Sequence, residues 1–217
     1  MMAVGIQGKL PSHGDFLRRG VPAELFGPLD AWLARGIAES RALLGEAWLA
    51  TYLEAPVWRF ALAAGSCGPS AAAGVWLPSV DRVGRYFPLL LVAALPPETA
   101  PSVLLAGARS WYDRLEEQAV ALLEGRAGLE EVAASLGDVA SPLPDLAPAP
   151  LPWRLPLAAA AAWRVAALAP VGSLWWSEGS PRVASSLLVC PGLPPPTAFA
   201  AMLDGQFAAH GWTEPPA

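Results

Sequence analysis

The segment Ala71-Ala-Ala-Gly-Val-Trp-Leu-Pro-Ser-Val-Asp-Arg-Val-Gly-Arg-Tyr-Phe-Pro-Leu-Leu-Leu-Val-Ala-Ala-Leu95 holds two apolar runs on either side of a short charged stretch. The runs Ala71 to Trp76 and Tyr86 to Leu95 are typical of strands buried on both faces. A further strand, Val57 to Leu62, is predicted before them, and the short turns between the three favour antiparallel pairing. The sequence therefore predicts a mainly antiparallel sheet at the centre of the fold.

The charged stretch between the two runs places Asp81, Arg82 and Arg85 around Gly84, in a protein in which 15% of the residues are charged. Charges held between buried strands are unfavourable unless they are paired. The residues alone leave three interpretations open. Asp81 pairs with Arg82 or Arg85 to brace a turn, the three residues contact a partner protein, or they take part in catalysis.

A second polar segment, Lys9 to Arg19, follows a short predicted strand from Val4 to Leu10. We expect it to lie beside the segment Ser79 to Arg85 at one end of the sheet, because both segments adjoin strands of an apolar core. Together they contain five basic and two acidic residues, a net charge of +3 in a chain of net charge −5. The candidate partner-contact residues are Lys9, His13, Asp15, Arg18, Arg19, Ser79, Asp81, Arg82 and Arg85.

Apolar residues at helical spacing predict several helices around these strands. Two more strands, Ser173 to Trp176 and Val183 to Cys190, are expected to complete the same sheet, joined by a loop at Ser177 to Pro181. The predicted helices begin near Pro28 and at Arg41 (to Leu53), Pro101 (to Glu124), Leu129 (to Leu136), Leu157 (to Leu168) and Phe199 (to Phe207).

The 217 residues fit one domain with a sizeable core, since 54% of them are hydrophobic and ten are tryptophan. Six prolines between Pro142 and Pro156 exclude a helix or central strand and predict an extended crossing. We therefore expect a single domain, with the main sheet and helices in residues 1–138, the crossing in 139–157 and the completing elements in 158–217.

The composition gives no indication of nucleic-acid binding or of membrane insertion. The net charge is negative, Lys9 is the only lysine, and no basic stripe is interleaved with aromatic residues. The first residues lack the apolar core of a signal peptide, and no apolar run reaches the length of a membrane span. Cys67 and Cys190 form no closely spaced pair. These features predict a cytoplasmic protein with free thiols.

Motifs for catalysis or cofactor binding are incomplete in this sequence. Gly8-Lys9 does not form a phosphate-binding loop, because the required Gly and Ser or Thr positions hold other residues. The histidines and cysteines lack metal-ligand spacing. Ser79, His13 and Asp81 supply the residue types of a hydrolase triad, but the chain has no G-x-S-x-G turn. We expect no catalytic residues, no metal and no cofactor.

Four stretches carry a resemblance to a known family: Gly8-Lys-Leu-Pro-Ser-His-Gly-Asp-Phe-Leu-Arg18, Pro56-Val-Trp-Arg-Phe-Ala-Leu62, Gly74 to Leu89, and Ser173-Leu-Trp-Trp176. Through them the chain resembles the TagF family, also called ImpM, of bacterial type VI secretion-associated proteins. The resemblance spans most of the chain and is weakest between Leu129 and Pro170.

The resemblance implies a non-enzymatic accessory protein that represses the secretion apparatus after translation. It also implies that the partner is a scaffold protein with a forkhead-associated domain. For the fold, it implies a three-layer α/β (α+β) sandwich with helices on both faces of a mainly antiparallel sheet.

Two alternatives remain open at the level of sequence. One is a small enzyme or binding module for a phosphorylated ligand, acting through Lys9, His13, Arg18 and Arg82. The other is a structural subunit of the secretion apparatus. The sequence does not determine the oligomeric state.

Overall fold

The computed structural model describes residues 4–137, 142 and 171–213. Within them, seven strands form one sheet in the order β2-β1-β5-β4-β3-β6-β7, and every neighbouring pair is antiparallel. The mainly antiparallel sheet predicted from the sequence is confirmed. The strands are β1 (Val4–Gly8), β2 (Leu17–Arg19), β3 (Trp58–Leu62), β4 (Ala71–Leu77), β5 (Leu89–Leu95), β6 (Ser173–Ser177) and β7 (Ser186–Cys190).

Helices cover both faces of this sheet. The described helices are α1 (Ala23–Leu44), α2 (Trp48–Leu53), α3 (Pro101–Gly107), α4 (Arg109–Leu123), α5 (Leu129–Gly137) and α6 (Ala201–Asp204). Buried residues of α1, α2 and α6 belong to one core, and those of α3, α4 and α5 belong to a second. The fold is therefore the expected three-layer sandwich. None of the helices that can be described is long and apolar enough to cross a bilayer.

The two cores arise from the alternation of side chains along each strand. Successive residues of a strand point to opposite faces, so Trp76 and Leu90 face the α1 side while Val75 and Leu91 face the α4 side. The first core is rich in aromatic rings, with Trp32 and Trp175 4.7 Å apart between ring centres. The second is built mainly from small and aliphatic side chains. Full burial of one large apolar side chain contributes about 1.5–3 kcal/mol to stability.

Two strands begin later than predicted, because a residue at the predicted start cannot join the hydrogen-bond ladder of the sheet. β5 begins at Leu89 rather than Tyr86, since Pro88 has no N–H to donate to the ladder and Tyr86 forms only an isolated bridge with Val80. β7 begins at Ser186 rather than Val183, whose carbonyl accepts a loop hydrogen bond from the Ser180 N–H at 2.8 Å.

At the start of the chain, β1 ends at Gly8 rather than Leu10, because Gly8 leaves the extended conformation with a φ of 122°. The three-residue strand β2 was not predicted at all.

The helix that was predicted to begin near Pro28 begins five residues earlier, at Ala23. Pro28 lies in its second turn, where it forgoes one helical hydrogen bond. The preceding residue, Gly27, has no Cβ to oppose the proline ring, which reduces the usual penalty for a helical residue before proline.

Three other helix predictions are wrong in their extents. The predicted helix Arg41 to Leu53 is interrupted at Gly45, whose φ of 52° ends α1 before a 3-10 turn leads into α2. The predicted helix Pro101 to Glu124 is divided at Ala108 into α3 and α4. The last predicted helix is reduced to the four residues of α6, which ends at Gly205 with a φ of 74°.

The strands β6 and β7 continue the sheet from β3, as expected for the C-terminal part of the chain. The predicted extended crossing (139–157) and the predicted helix Leu157 to Leu168 lie outside the described residues, Pro142 apart.

Close packing of α1 against the C-terminal segment generates a prediction about Gly36. A Cβ on Gly36 would lie 2.6 Å from the Cγ atom of Phe199, a fully buried ring. Replacement of a helical Gly by Ala normally stabilises a helix by about 0.5–1 kcal/mol. We expect Gly36→Ala to do the opposite and destabilise the fold by about 1–3 kcal/mol, because the core is overpacked. Urea unfolding measures the change.

The exposed residue Ala38 in the same helix provides the control. Ala38→Gly reports the backbone effect alone and should cost about 0.5–1 kcal/mol. A Gly36→Ala variant more stable than the wild type would contradict the packing that the structure assigns to this site.

Candidate partner-binding surface

The two polar segments meet at one end of the sheet, as predicted. β1 pairs with β5 and β5 with β4, which brings the end of β1 beside the connection between β4 and β5. The Arg82 N–H donates to the His13 carbonyl at 2.9 Å, and the Ser79 hydroxyl donates to the Lys9 carbonyl at 2.6 Å. The Arg85 guanidinium also donates to the Gly14 carbonyl. The segments are joined by backbone groups as well as by side chains.

A buried carboxylate, that of Asp81, organises this junction. Its Oδ1 accepts the backbone N–H groups of Val83 at 3.0 Å and Arg85 at 2.8 Å. Its Oδ2 accepts the Lys9 ammonium and the Arg85 Nε–H, the latter at 2.6 Å. Gly84 completes the turn with a φ of 86°, a conformation that favours glycine. Asp81 therefore holds its own turn and ties it to the N-terminal segment.

The ionised form of Asp81 is the stable one in this setting. Burial on its own opposes ionisation, but the hydrogen bond from Lys9 and those from the backbone and side chain of Arg85 outweigh it. With the Val83 N–H, they hold the pKa of Asp81 well below its usual value of 3.8. The turn-bracing interpretation is confirmed for Asp81 and Arg85, whereas Lys9, and not Arg82, supplies the second cation among the described residues.

Ser79 is also part of the framework rather than of the surface. Its side chain is buried, and its backbone makes a reciprocal pair with Tyr52: the Ser79 N–H donates to the phenol oxygen at 2.9 Å, and the phenol donates to the Ser79 carbonyl at 3.0 Å. Tyr52 lies on α2, so this pair connects the turn to the α1–α2 layer.

The remaining candidate residues reach solvent. The Arg82 side chain is exposed and lies near Gly14, where a Cβ would come within 3.4 Å of its guanidinium. Arg18 lies 4.1 Å above the Phe26 ring and donates to the Val21 carbonyl at 3.3 Å. Arg19 forms an exposed ion pair with Glu130 at 2.6 Å. Asp15 is exposed and His13 is half-buried.

Two apolar side chains on the same segments were missed by the sequence reasoning. Val83 is 65% exposed at the tip of the Asp81 turn, and Phe16 is 38% exposed. Phe16 packs edge-on against Phe87, two residues beyond the second segment, with ring centres 5.4 Å apart. Their position within the two charged segments was the sequence feature that could have indicated their exposure. We define the loop surface by seven residues of these segments, each of them exposed or half-buried: His13, Asp15, Phe16, Arg18, Arg19, Arg82 and Val83.

A second charged cluster lies on the α4 face of the sheet. The Arg59 guanidinium on β3 donates to both Glu116 oxygens at 2.8 and 2.7 Å and to Asp113 at 2.7 Å. The hydrogen bonds that Arg59 donates to Glu116, more than the one it donates to Asp113, raise the pKa of Arg59 against the opposing effect of burial. Asp113 and Glu116, both on α4, reach across to this cation on the sheet.

The small cleft beside Arg59 has a volume of about 180 Å³, and its lining includes Arg109, Tyr112, Trp176 and Glu178. Arg59 is already neutralised by two carboxylates of the same chain. The cleft therefore offers little to an anionic ligand, and the loop surface is the better candidate site.

Comparisons with known proteins give a family for the chain and a structure of similar fold. Residues 5–139 match the TagF N-terminal domain, described as type VI secretion system-associated. The fold is similar to the crystal structure of PA0076 from Pseudomonas aeruginosa PAO1, with a TM-score of 0.82 and 37% sequence identity over 99% of this chain and 98% of that one. No curated protein sequence matches the chain.

The low pKa of Asp81 predicts a specific pH dependence of stability. The unfolded chain takes up the proton near pH 3.8, whereas the folded chain resists it, so stability is lost as the pH falls below about 4. Asp81→Asn lacks this titration. We expect the variant to unfold at a lower urea concentration than the wild type at pH 7, and the gap between the two midpoints to narrow at pH 3.

Asp204→Asn is the control, since Asp204 pairs with His210 away from the junction. A gap between wild type and Asp81→Asn that stays constant from pH 7 to pH 3 would show that Asp81 does not stabilise the fold as a charge.

Proposed function

Since this chain belongs to the TagF family of type VI secretion system-associated proteins, we propose that it is a non-enzymatic regulator of a type VI secretion system. It acts after translation and represses the apparatus by binding a scaffold component that carries a forkhead-associated domain. The loop surface is the part of the molecule that makes this contact.

The observation that carries the proposal is the pairing of exposed apolar and arginine side chains on a rigid base. Phe16 and Val83 present apolar area, and Arg18 and Arg82 stand among them with exposed side chains. Aromatic and arginine residues are enriched where proteins bind one another. The Asp81 hydrogen bonds hold the backbone beneath them, so less conformational entropy is lost when a partner binds.

Side-chain contacts argue against the enzymatic alternatives. A hydrolase triad would need the Ser79 hydroxyl to face His13, but that hydroxyl donates to the Lys9 carbonyl, and His13 Nδ1 lies 2.9 Å from the Ser12 hydroxyl. The four Asp81 donors leave no place for a histidine. This arrangement supports a binding role.

The phosphorylated-ligand alternative requires Lys9, His13, Arg18 and Arg82 to converge. Lys9 is instead held by Asp81, and Arg18 contacts Phe26 and Val21 on the β2 side of the surface. In the described part of the chain, only His13 and Arg82 are joined, through a backbone hydrogen bond. A partner protein that covers the whole surface fits this spread of charges better than a small anion does.

Charge then indicates the kind of face that the partner presents. The two segments carry a net charge of +3, which Glu130 beside Arg19 reduces locally to +2, on a chain of net charge −5. A basic surface on an acidic protein attracts an acidic or phosphorylated face. Such attraction speeds the encounter and selects the partner more than it tightens the final complex.

The direct test is the double variant Arg18→Glu with Arg82→Glu. We expect it to weaken scaffold binding by about tenfold or more and to relieve repression, because it places two like charges against an acidic face. Association of the wild type should slow as salt is raised from 0.05 to about 0.5 M. Surface plasmon resonance gives the rates, and secretion of a reporter effector gives the repression.

Arg35→Glu with Arg114→Glu changes the net charge by the same amount at exposed positions on α1 and α4, and provides the matched control. It should bind like the wild type. Unchanged scaffold affinity in a folded Arg18→Glu, Arg82→Glu variant would reject the loop surface. Equal loss in both double variants would show a general charge effect.

A further inference from the structure

The two edges of the sheet differ in how they are protected against pairing with another strand. β2, at one edge, has only three residues, and two of them, Arg18 and Arg19, are charged. Short length and charge are the usual devices that prevent an edge strand from accepting another strand. β7, at the other edge, has the sequence Ser186-Leu-Leu-Val-Cys190, with no charged residue and no proline.

The side chains of β7 divide between the two faces of the sheet. Leu188 and Cys190 are buried in the first core. Leu187 and Val189 point to the opposite face and remain 38% and 39% exposed. Leu187 lies opposite Trp176 on β6, a half-buried residue, so the apolar strip continues inward across the edge. An edge strand of this kind presents backbone hydrogen-bonding groups next to exposed apolar side chains.

We propose that β7 pairs antiparallel with β7 of a second copy of this chain, about a two-fold axis at Leu188. In this register Leu187 lies opposite Val189 of the partner subunit, and Val189 opposite Leu187 of the partner subunit. Both pairs lie on the face of the sheet where Leu187 and Val189 are exposed, and the two residues of each pair cover each other. Ser186 and Cys190 form the outer pairs, and the two sheets become one continuous sheet.

The symmetry of the strand is the reason to choose a second copy as the occupant. A two-fold interface requires a surface that complements itself. The β7 sequence is uncharged and places its two exposed apolar residues at equal distances from Leu188. Antiparallel pairing of two β7 strands therefore places apolar residues opposite apolar residues and brings no like charges of the two strands together. Side chains that lie directly opposite each other on one face of an antiparallel pair are the unit of sheet stabilisation.

The length of the strand limits the strength of the dimer. Pro191 follows directly after β7 and has no N–H for a ladder, so the shared ladder spans five residues. An interface of that size is typical of weak, reversible association. We therefore expect a weak, reversible dimer, so that the protein is a monomer at low concentration and a dimer at high concentration.

Sedimentation equilibrium between about 2 and 500 μM tests the association. The wild type should shift from monomer to dimer, and Leu187→Lys should remain a monomer throughout, because a charge on an edge strand opposes pairing. Val83→Lys introduces the same change at a more exposed apolar residue in the β4–β5 connection, and it should dimerise like the wild type. A monomeric wild type at 500 μM, or a dimeric Leu187→Lys, would overturn the proposal.

Disulfide trapping tests the register separately. Burial raises the pKa of Cys67 to about 12, and that of Cys190 to about 11 against the opposing hydrogen bond with Ser173, so the native thiols react slowly. Leu187→Cys and Val189→Cys are therefore made as single variants. Mixed together under mild oxidation, they should form a covalent dimer several-fold faster than either does alone, because positions 187 and 189 face each other across the axis.

Equal rates in the mixture and in the separate variants would reject the antiparallel register about Leu188. Val83→Cys gives the rate of random collision between exposed thiols. Trapping no faster than this background in the mixture would overturn pairing through β7, whatever the sedimentation result.

Discussion

Every side chain of β4 is buried, and so are six of the seven in β5. A strand pair enclosed by helices on both faces leaves no room for an unpaired charge within the sheet, so the polar residues between β4 and β5 must be satisfied at its end. Asp81 meets this requirement by accepting four hydrogen bonds, one of them from Lys9 on the other segment. The carboxylate thereby converts a local turn into a link between distant parts of the chain.

That link separates the charged residues into a framework and a surface. Lys9, Ser79 and Asp81 are committed to contacts within the fold, and Arg85 is shared between the Asp81 carboxylate and the Gly14 carbonyl. Arg18 and Arg82 remain exposed around Phe16 and Val83. A binding surface of this kind depends on buried polar groups beneath it, because they keep its backbone in one conformation before a partner arrives.

Arg59 shows how the sheet tolerates a charge on one of its inner strands. Its guanidinium lies on the α4 face, where Glu116 and Asp113 of one helix accept three charge-assisted hydrogen bonds from it. The cluster ties α4 to β3 and neutralises the cation with carboxylates of the same chain. In the described part of the chain the β7 edge shows the reverse condition, since Leu187 and Val189 are partly exposed there and the strand carries no charge to exclude another strand.

Much of the architecture was predictable from local patterns. Continuous apolar runs indicated strands buried on both faces, and the 3.6-residue period indicated the main helices, because these repeats follow directly from backbone geometry. The family resemblance was carried by short motifs such as Gly74 to Leu89. The proximity of the two polar segments was expected because both adjoin strands of the apolar core. The interruption at Gly45 occurs at a glycine, the residue that most often ends a helix. The interruption at Ala108 was less predictable, since Ala108 is buried in the second core and packing overrides local propensity there.

The sequence by itself determined that Asp81 needed a cation, because a carboxylate between two core strands is unfavourable without one. Only the tertiary structure decided which cations it received. Lys9 is 72 residues away in the chain, and the pairing of β1 with β5 brings it to Oδ2, whereas the adjacent Arg82 extends to solvent. The tertiary structure also decided that Phe16 and Val83 are exposed. Such contacts depend on which groups the fold brings together in space. For a turn held by partners far away in the chain, the spacing of residues along the sequence does not reveal those partners.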